Sequence, residues 1–182
     1  MLEDVIIAGF GGQGIIFAGK LLAYAGLKEE KEVVYYPSYG AEMRGGTANC
    51  TVIISDSMVP SPIISSPSNA IIMSNPAFLK FSSRVKKGGR IVINTSLIST
   101  DINRQDVEVV KISANQIAEE LGSGKTANMV ALGAWISLSR VVTLENLISS
   151  LKDVISEKRM ALLPINEKSL RKGWEFVSSL NQ

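Results

Sequence analysis

The feature that most constrains this fold is a glycine-rich turn between a short apolar run and an amphipathic segment. Val5 to Ala8 is a continuous apolar run, as expected of a strand buried on both faces of a parallel sheet. Gly9, Gly11 and Gly14 follow with the spacing G-x-G-x-x-G, and residues 15–27 carry apolar side chains at helical intervals. This order predicts the first unit of an α/β domain, with a turn that can hold a phosphate.

The rest of the chain alternates predicted strands with predicted helices and then becomes helical. Strands are predicted at residues 33–36, 47–55, 70–73, 90–94 and 107–112, and helices at residues 75–85, 113–121, 126–140, 143–155 and 166–180. Pro37 is expected to end the second strand, and Ser113 and Thr143 are expected to cap helices. The pattern predicts a Rossmann-like α/β fold in one domain, residues 1–182, with a mainly parallel sheet, helices on both faces and a helical C-terminal portion.

The overall composition excludes several kinds of partner. A net charge of +2 over 182 residues, without a basic run, does not indicate nucleic acid. The longest nearly apolar stretch, residues 129–138, is too short to span a membrane. Residues 1–4 include Glu3 and Asp4, whereas a signal peptide begins with positive charge. The protein is therefore expected in the cytoplasm, in contact with neither nucleic acid nor membrane.

The chain has one cysteine and no histidine. It can form no intrachain disulfide, and it cannot supply a cysteine-ligated zinc or iron–sulfur site by itself. Every Ser-His or Cys-His catalytic pair is excluded too. Cys50 lies in a β-branched run and is expected to be a small buried residue of a strand.

The glycine turn alone leaves three interpretations open. A dinucleotide site needs an acidic residue near the end of the second strand to bind ribose hydroxyls. Glu32 precedes that strand and Glu42 lies well beyond it, which counts against NAD or FAD. The turn could hold another phosphate, or its glycines could only permit close helix–strand packing. Gln13 is unusual in such a turn, because its amide could contact a cofactor or a partner's backbone.

A second glycine-rich loop follows the second predicted strand. Arg44 offers planar recognition of phosphate or carboxylate, Glu42 could hold it in place, and Met43 suits an adaptable contact. The alternative is a surface turn with a solvated Glu–Arg pair of little energetic value. Because both glycine-rich loops follow strand carboxyl ends, we expect them to converge on one edge of the sheet.

At these residues the chain resembles the gamma subunit of 2-oxoacid:ferredoxin oxidoreductases. The resemblance covers essentially the whole chain, and its most specific part is the run Ser-Tyr-Gly-x-Glu-Met-Arg-Gly-Gly at residues 38–46. This form is closer to the 2-oxoglutarate and branched-chain 2-oxoacid enzymes than to the pyruvate enzyme. The matching segments are residues 9–14, 38–48, 61–62 and 128–134.

The resemblance implies a subunit of an oxidoreductase, inactive alone, that acts on the oxo group of its donor. Such complexes decarboxylate a 2-oxoacid on thiamine diphosphate, reduce ferredoxin through iron–sulfur clusters and form an acyl-coenzyme A. Thiamine diphosphate, magnesium and the 4Fe-4S clusters are implied in partner subunits, named alpha, beta and, in some members, delta. The resemblance therefore implies a heterotetramer of these subunits, of the 2-oxoglutarate synthase kind, in which this chain contacts coenzyme A.

The resemblance also implies which residues face the cofactor, and none of them is expected to be a general acid or base. The residues assigned to cofactor binding are Gly9, Gly11, Gly12, Gln13, Gly14, Ser38, Tyr39, Gly40, Glu42, Met43, Arg44 and Gly45. Two other functions remain open from the sequence. One is an independent NAD-binding Rossmann protein, and the other is a structural subunit that binds no ligand.

Overall fold

A computed structural model gives the fold of residues 1–39, 46–59 and 61–180, apart from the side chain of Tyr39. Its strands are β1 (Leu2–Phe10), β2 (Glu32–Tyr39), β3 (Thr47–Ser55), β4 (Asn69–Ile72), β5 (Arg90–Asn94) and β6 (Glu108–Ile112). Its helices are α1 (Ile15–Lys28), α2 (Asn75–Phe81), α3 (Ala114–Glu120), α4 (Ala127–Ser139), α5 (Leu144–Ser149), α6 (Leu151–Val154) and α7 (Leu163–Leu180). Short 3₁₀ turns lie at Ser82–Arg84, Gly124–Thr126 and Glu157–Leu162.

The strands form one six-stranded sheet in the order β2-β3-β1-β4-β5-β6. β1, β4, β5 and β6 pair in parallel, whereas β3 is antiparallel to both β1 and β2. Residues 40–46 between β2 and β3 are too few for a parallel crossover, which needs a dozen or more residues. The predicted mainly parallel sheet is confirmed, with β3 as its reversed strand.

Helices cover both faces of the sheet, as predicted. On one face, residues such as Ile7 and Ile71 pack under α1, α3, α4, α5 and α7 in the larger core. On the other face, Ile6 and Ile72 pack against α2 in a smaller core. Successive residues of one strand enter different cores, which explains the continuous buried runs in β1, β4 and β5. Among the described helices, none is long and apolar enough to cross a membrane.

The C-terminal portion is held by the close crossing of α4 and α7. Residues 127–137 of α4 are all buried. A Cβ atom added at Gly133 would overlap the Leu170 carbonyl, and one added at Gly173 would overlap the Val130 carbonyl. Both glycines therefore let the two backbones approach closely.

Two local predictions are wrong. β2 does not stop at Pro37 but continues to Tyr39, with Pro37 opposite Cys50. β2 is an edge strand, where a proline without an N–H is tolerated. Ser113 occupies the N-cap position of α3 without making a capping bond; its hydroxyl lies 3.1 Å from that of Thr95.

Other segments cap α3 instead of Ser113. Asn94 Oδ1 accepts a bond from Ala114 N at 3.1 Å, and Ser96 Oγ accepts from Asn115 N at 3.2 Å. Thr143 does cap α5 as predicted, because its Oγ1 accepts from Asn146 N at 3.2 Å. The helix predicted from Thr143 to residue 155 is divided at Ser150 into α5 and α6.

Candidate functional site

The glycine turn joins β1 to α1 with two residues in the left-handed region of backbone conformation. Gly12 has φ +97° and Gly14, the N-cap residue of α1, has φ +71°. L-residues with side chains rarely adopt these angles, so glycine is required at both positions. At the buried Gly9, an added Cβ would overlap Gln13 Oε1 and come within 2.9 Å of Met73 Cβ. Glycine at positions 9, 12 and 14 therefore has a steric basis in this fold.

Gln13 connects the ends of two strands through its side-chain amide. Its Oε1 accepts a bond from Phe10 N at 2.6 Å, and its Nε2 donates to the Met73 carbonyl at 3.1 Å. The amide therefore braces the turn against the end of β4 rather than pointing into solvent. A contact between Gln13 and a cofactor stays a prediction.

The two glycine-rich motifs meet at the same edge of the sheet. β1 and β2 point in the same direction with β3 between them, and Gly11 N donates to the Gly46 carbonyl at 2.9 Å. Ser38 lies opposite Asn49 near the end of β2, and the backbone of Tyr39 lies opposite Ala48. The expected convergence of the two loops is confirmed at this contact.

The central part of the second loop lies outside the described residues. Its predicted site residues are Gly40, Glu42, Met43, Arg44 and Gly45. Their assignment to a cofactor stays a prediction. What the structure does describe is the frame on each side of them, formed by the end of β2 and the start of β3.

The glycine turn also lies where the sheet connections change sides. α1 follows β1 and packs in the larger core, whereas α2 follows the adjacent parallel strand β4 and packs in the smaller core. Ligands of open α/β sheets bind at the carboxyl ends of strands where the connections diverge in this way. Gln13 crosses this position between Phe10 and Met73.

The N-terminus of α1 is suited to an anion. No side chain caps it, and its first turn contains no acidic residue. The first N–H groups of a helix have no partner within the helix, and they carry the positive end of its dipole. A phosphate at the turn would accept hydrogen bonds from these groups.

A cleft of about 390 Å³ opens beside the turn, between α1, α4 and the 157–162 segment. We call it the turn cleft. Its polar and backbone lining includes Gly12, Gly14, Lys125, Asn128, Arg159 and Asn166. Asn128 ties the cleft to the turn, because its Nδ2 donates to the Gly14 carbonyl at 3.0 Å. The predicted site residues do not include Lys125, Asn128, Arg159 or Asn166.

One local signal for this cleft is present in the sequence. Residues 122–126 read Gly-Ser-Gly-Lys-Thr immediately before α4, which resembles the end of a phosphate-binding loop. Position 119, where that motif requires glycine, is Glu119, and the segment follows helix α3 instead of a strand. The segment is therefore a helix start bearing a lysine, not a complete phosphate-binding loop.

The geometry differs from a conventional dinucleotide site. In that site, the strand beside β1 ends in the acid that binds the ribose. In this chain the strand beside β1, on the side away from β4, is β3. It runs antiparallel to β1 and begins at Thr47, opposite Phe10. β2, which would carry the acid, lies one strand further away.

Cys50 has the environment of a structural thiol. It is fully buried, and its Sγ lies 3.5 Å from the Ile15 carbonyl. Burial raises the pKa of the Cys50 thiol to about 12, so the thiolate that binds metals is disfavoured. Within residues 1–39, 46–59 and 61–180, no group of three or more acidic, cysteine or histidine residues could hold a metal ion.

Comparisons with known proteins cover the whole chain. The family model described as pyruvate ferredoxin/flavodoxin oxidoreductase matches residues 4–176. The 2-oxoglutarate synthase subunit KorC of Methanocaldococcus jannaschii is 35% identical over 186 residues, which is 99% of this chain and 96% of that protein.

Two solved structures share the fold. The gamma subunit of a keto/oxoacid ferredoxin oxidoreductase from Geobacter sulfurreducens has a TM-score of 0.86 and 28% identity, over 98% of each chain. The 2-oxoglutarate:ferredoxin oxidoreductase of Magnetococcus marinus, solved with 2-oxoglutarate, coenzyme A and succinyl-CoA bound, has a TM-score of 0.89 and 26% identity. That match covers 98% of this chain and 31% of the longer one. This chain therefore belongs to the pyruvate ferredoxin/flavodoxin oxidoreductase family, and it corresponds over its length to the gamma subunit of 2-oxoacid:ferredoxin oxidoreductases.

Proposed function

We propose that this chain is the gamma subunit of a 2-oxoglutarate:ferredoxin oxidoreductase. The complex would convert a 2-oxoacid and coenzyme A to an acyl-CoA and carbon dioxide, with reduction of ferredoxin. The observation that carries the proposal is the full-length likeness to a 2-oxoglutarate synthase subunit. The proposal is also supported by the Gly11–Gly46 contact, where the glycine turn and the second glycine-rich loop meet at one edge of the sheet.

The chain's own part would be to bind coenzyme A. The diphosphate would lie at the glycine turn, where the uncapped start of α1 presents backbone N–H groups. Arg44 would add a phosphate or carboxylate contact. A solved relative contains coenzyme A and succinyl-CoA, which supports this choice of ligand.

The redox cofactors would belong to partner subunits. One buried cysteine with a raised pKa does not fit the four thiolates of an iron–sulfur cluster. Thiamine diphosphate, bound with magnesium, supplies the decarboxylation chemistry in such enzymes. The partners would be alpha, beta and, in some complexes, delta subunits, with ferredoxin as the electron acceptor.

Anaerobic purification of the tagged chain from its native cell tests the assembly. Partners carrying thiamine diphosphate and iron–sulfur clusters are expected in equimolar amounts. The complex is expected to reduce ferredoxin with 2-oxoglutarate and coenzyme A faster than with pyruvate or a branched-chain 2-oxoacid. Recovery of the chain alone would contradict the proposal, and faster reaction with another 2-oxoacid would contradict only the substrate.

Variants test the proposed part in coenzyme A binding. Gly11→Val and Arg44→Ala are expected to raise the KM for coenzyme A about tenfold or more. Gly11→Val places a side chain in the turn proposed to hold the diphosphate, and Arg44→Ala removes a proposed phosphate contact. Arg171→Ala, on the exposed surface of α7, is the matched control and is expected to change nothing. Unchanged KM values in both test variants would favour a structural subunit that binds no ligand.

A further inference from the structure

The charges of this chain are distributed unevenly along its sequence. Residues 57–100 contain five of the 19 lysine and arginine residues and none of the 17 aspartate and glutamate residues. This segment therefore carries a charge of +5, whereas the rest of the chain, with 14 cations against 17 acidic residues, carries −3. A local excess of this size indicates an interaction with an acidic molecule.

Four of these cations lie within the eight residues 80–87. Lys80 is in the last turn of α2, Arg84 ends the 3₁₀ turn that follows it, and Lys86 and Lys87 precede β5. All four are exposed, and none has an ion-pair partner among residues 1–39, 46–59 and 61–180. We call these four residues the basic surface.

The charged groups of Lys80 and Arg84 are held at one aromatic ring. Lys80 Nζ lies 5.1 Å and Arg84 Cζ lies 5.4 Å from the centroid of the Phe81 ring, which is the range of cation–π attraction. Arg84 also donates through Nε and Nη2 to the Ser65 carbonyl, at 3.2 and 2.8 Å. Phe81 belongs to the smaller core, so both cations are anchored on the side of the sheet that α2 covers.

Hydrogen bonds fix the turn that carries Lys86 and Lys87. Lys86 N donates to the Pro67 carbonyl at 2.9 Å, and Gly88 N donates to the Asp106 carbonyl at 2.7 Å. Both lysines line a cleft of about 220 Å³ at the start of β5. The two side chains therefore extend from a backbone that is held in place on both sides.

Acidic side chains of the adjoining strands are paired with other cations. Arg90 lies 3.4 Å from Glu3 and 3.7 Å from Glu108, and Arg104 lies 2.6 Å from Asp106. These carboxylates therefore form their ion pairs outside the basic surface. Its four positive charges remain available to a partner.

A surface of exposed lysines suits a partner that binds and leaves. Lysine is depleted from the cores of protein interfaces, whereas complementary exposed charges speed the encounter and make it sensitive to salt. Lys86 and Lys87 also lie at the amino ends of the parallel strands, and the glycine turn lies at their carboxyl ends. A partner at the basic surface therefore approaches the sheet from the end opposite the glycine turn.

We propose that the basic surface docks an acidic protein through transient contacts between opposite charges. Resting on the proposed function, this protein is the ferredoxin that accepts electrons, because it must dissociate after reduction whereas the subunits stay bound. The electrons come from clusters in partner subunits, so the surface speeds the encounter and takes no part in electron transfer. Leu79, which is 70% exposed beside Lys80, adds an apolar contact.

The test compares two electron acceptors on the purified native complex. Lys86→Glu with Lys87→Glu reverses two charges of the basic surface and is expected to raise the KM for ferredoxin about tenfold or more at low ionic strength. The rate with methyl viologen, a small cationic acceptor that needs no protein docking, and the KM for coenzyme A should not change. The matched control, Lys152→Glu with Lys168→Glu, reverses two exposed charges on α6 and α7 and should behave like the parent.

The dependence on salt gives a second readout. In the parent complex the KM for ferredoxin should rise as the ionic strength increases from about 0.05 to about 0.5 M, because salt screens the attraction between exposed charges. In the Lys86→Glu, Lys87→Glu complex it should rise much less, because less attraction is left to screen.

An unchanged KM for ferredoxin in the Lys86→Glu, Lys87→Glu complex would overturn this inference and leave the proposed function intact. Loss of a subunit from that complex would also overturn it, because the surface would then be a permanent interface. If the parent complex shows no 2-oxoacid activity, the proposed function fails, and calorimetry of the full chain with purified ferredoxin decides the inference separately. Binding that the two substitutions abolish would support it, whereas no binding, or tighter binding of a DNA duplex, would overturn it.

Discussion

At the scale of single residues, Gln13 links two strand ends that are far apart in sequence. Gln13→Ala removes its bonds to Phe10 N and to the Met73 carbonyl. We expect the free energy of unfolding to fall by about 1–2 kcal/mol, since two hydrogen bonds are lost and the one to the Met73 carbonyl is partly shielded from solvent. Urea unfolding measures the change.

The matched control for Gln13 is another glutamine in an exposed position. The Gln116 side chain donates to Glu120 Oε1 at 3.1 Å on the exposed surface of α3, so Gln116→Ala should change stability by less than about 0.5 kcal/mol. An equally small effect of Gln13→Ala would mean that its two bonds contribute nothing net to the turn.

Cys50 gives a second prediction at this scale. Its pKa of about 12 in the folded chain, against an ordinary 9.0, lowers the thiolate fraction on the order of a thousandfold at mildly alkaline pH. Alkylation by iodoacetamide should therefore be at least that much slower in the folded protein than in guanidinium chloride. Similar rates in both conditions would show that the thiol is accessible.

At the scale of elements, Glu29 joins the end of α1 to the start of α5. Its Oε1 accepts bonds from Thr143 N at 2.6 Å, Thr143 Oγ1 at 2.9 Å and Asn146 Nδ2 at 3.0 Å. Burial raises the pKa of Glu29, but these bonds and Lys31 lower it by more, so its pKa lies below 4.5. The charged form is therefore the one that stabilises the fold.

The sign of this shift sets the pH dependence. A lowered pKa adds stability above pH 4.5 that is lost as the pH falls through the folded-state value. Glu29→Gln should reduce the free energy of unfolding by about 1–3 kcal/mol at neutral pH, and the difference should shrink on acidification. Urea unfolding measured from neutral pH to below pH 4.5 tests this prediction, with Glu145→Gln, at an exposed position, as the control. A pH-independent difference between Glu29→Gln and the parent would contradict the prediction.

The crossing of α4 and α7 depends on the absence of a side chain at Gly173. A methyl group there would overlap the backbone of Val130, so Gly173→Ala should destabilise the fold by about 1–3 kcal/mol despite the better helix propensity of alanine. Thermal unfolding measures this. Lys172 is exposed on the same helix, so Lys172→Ala should have little effect on stability. If both variants lost the same stability, the backbones of α4 and α7 would not be in close contact.

At the scale of the whole molecule, the two cores share one sheet and should unfold together. Phe78 is 5% exposed in the smaller core, whereas its neighbour Leu79 is 70% exposed. Phe78→Ala should cost about 3–5 kcal/mol, with coincident transitions in near-UV and far-UV circular dichroism. Leu79→Ala should leave the transition in place. Separate transitions for the two probes would show that the cores unfold independently.

Much of the local structure follows from the sequence alone. The strand–turn–helix unit, the bounds of β3 and β5, and the Thr143 cap depend on residues close together in the chain. Apolar periodicity and turn chemistry are local signals, so these elements are predictable. Gly12 and Gly14 belong here too, because their left-handed backbone angles are a property of the turn itself.

Only the tertiary structure decided how these pieces meet. It placed β3 between β1 and β2, gave the α3 cap to Asn94 and Ser96, and joined Gln13 to Met73. It also assembled the turn cleft from segments more than a hundred residues apart, with Asn128 against Gly14. These contacts arise from packing free energy between distant residues, which no local pattern of side chains encodes.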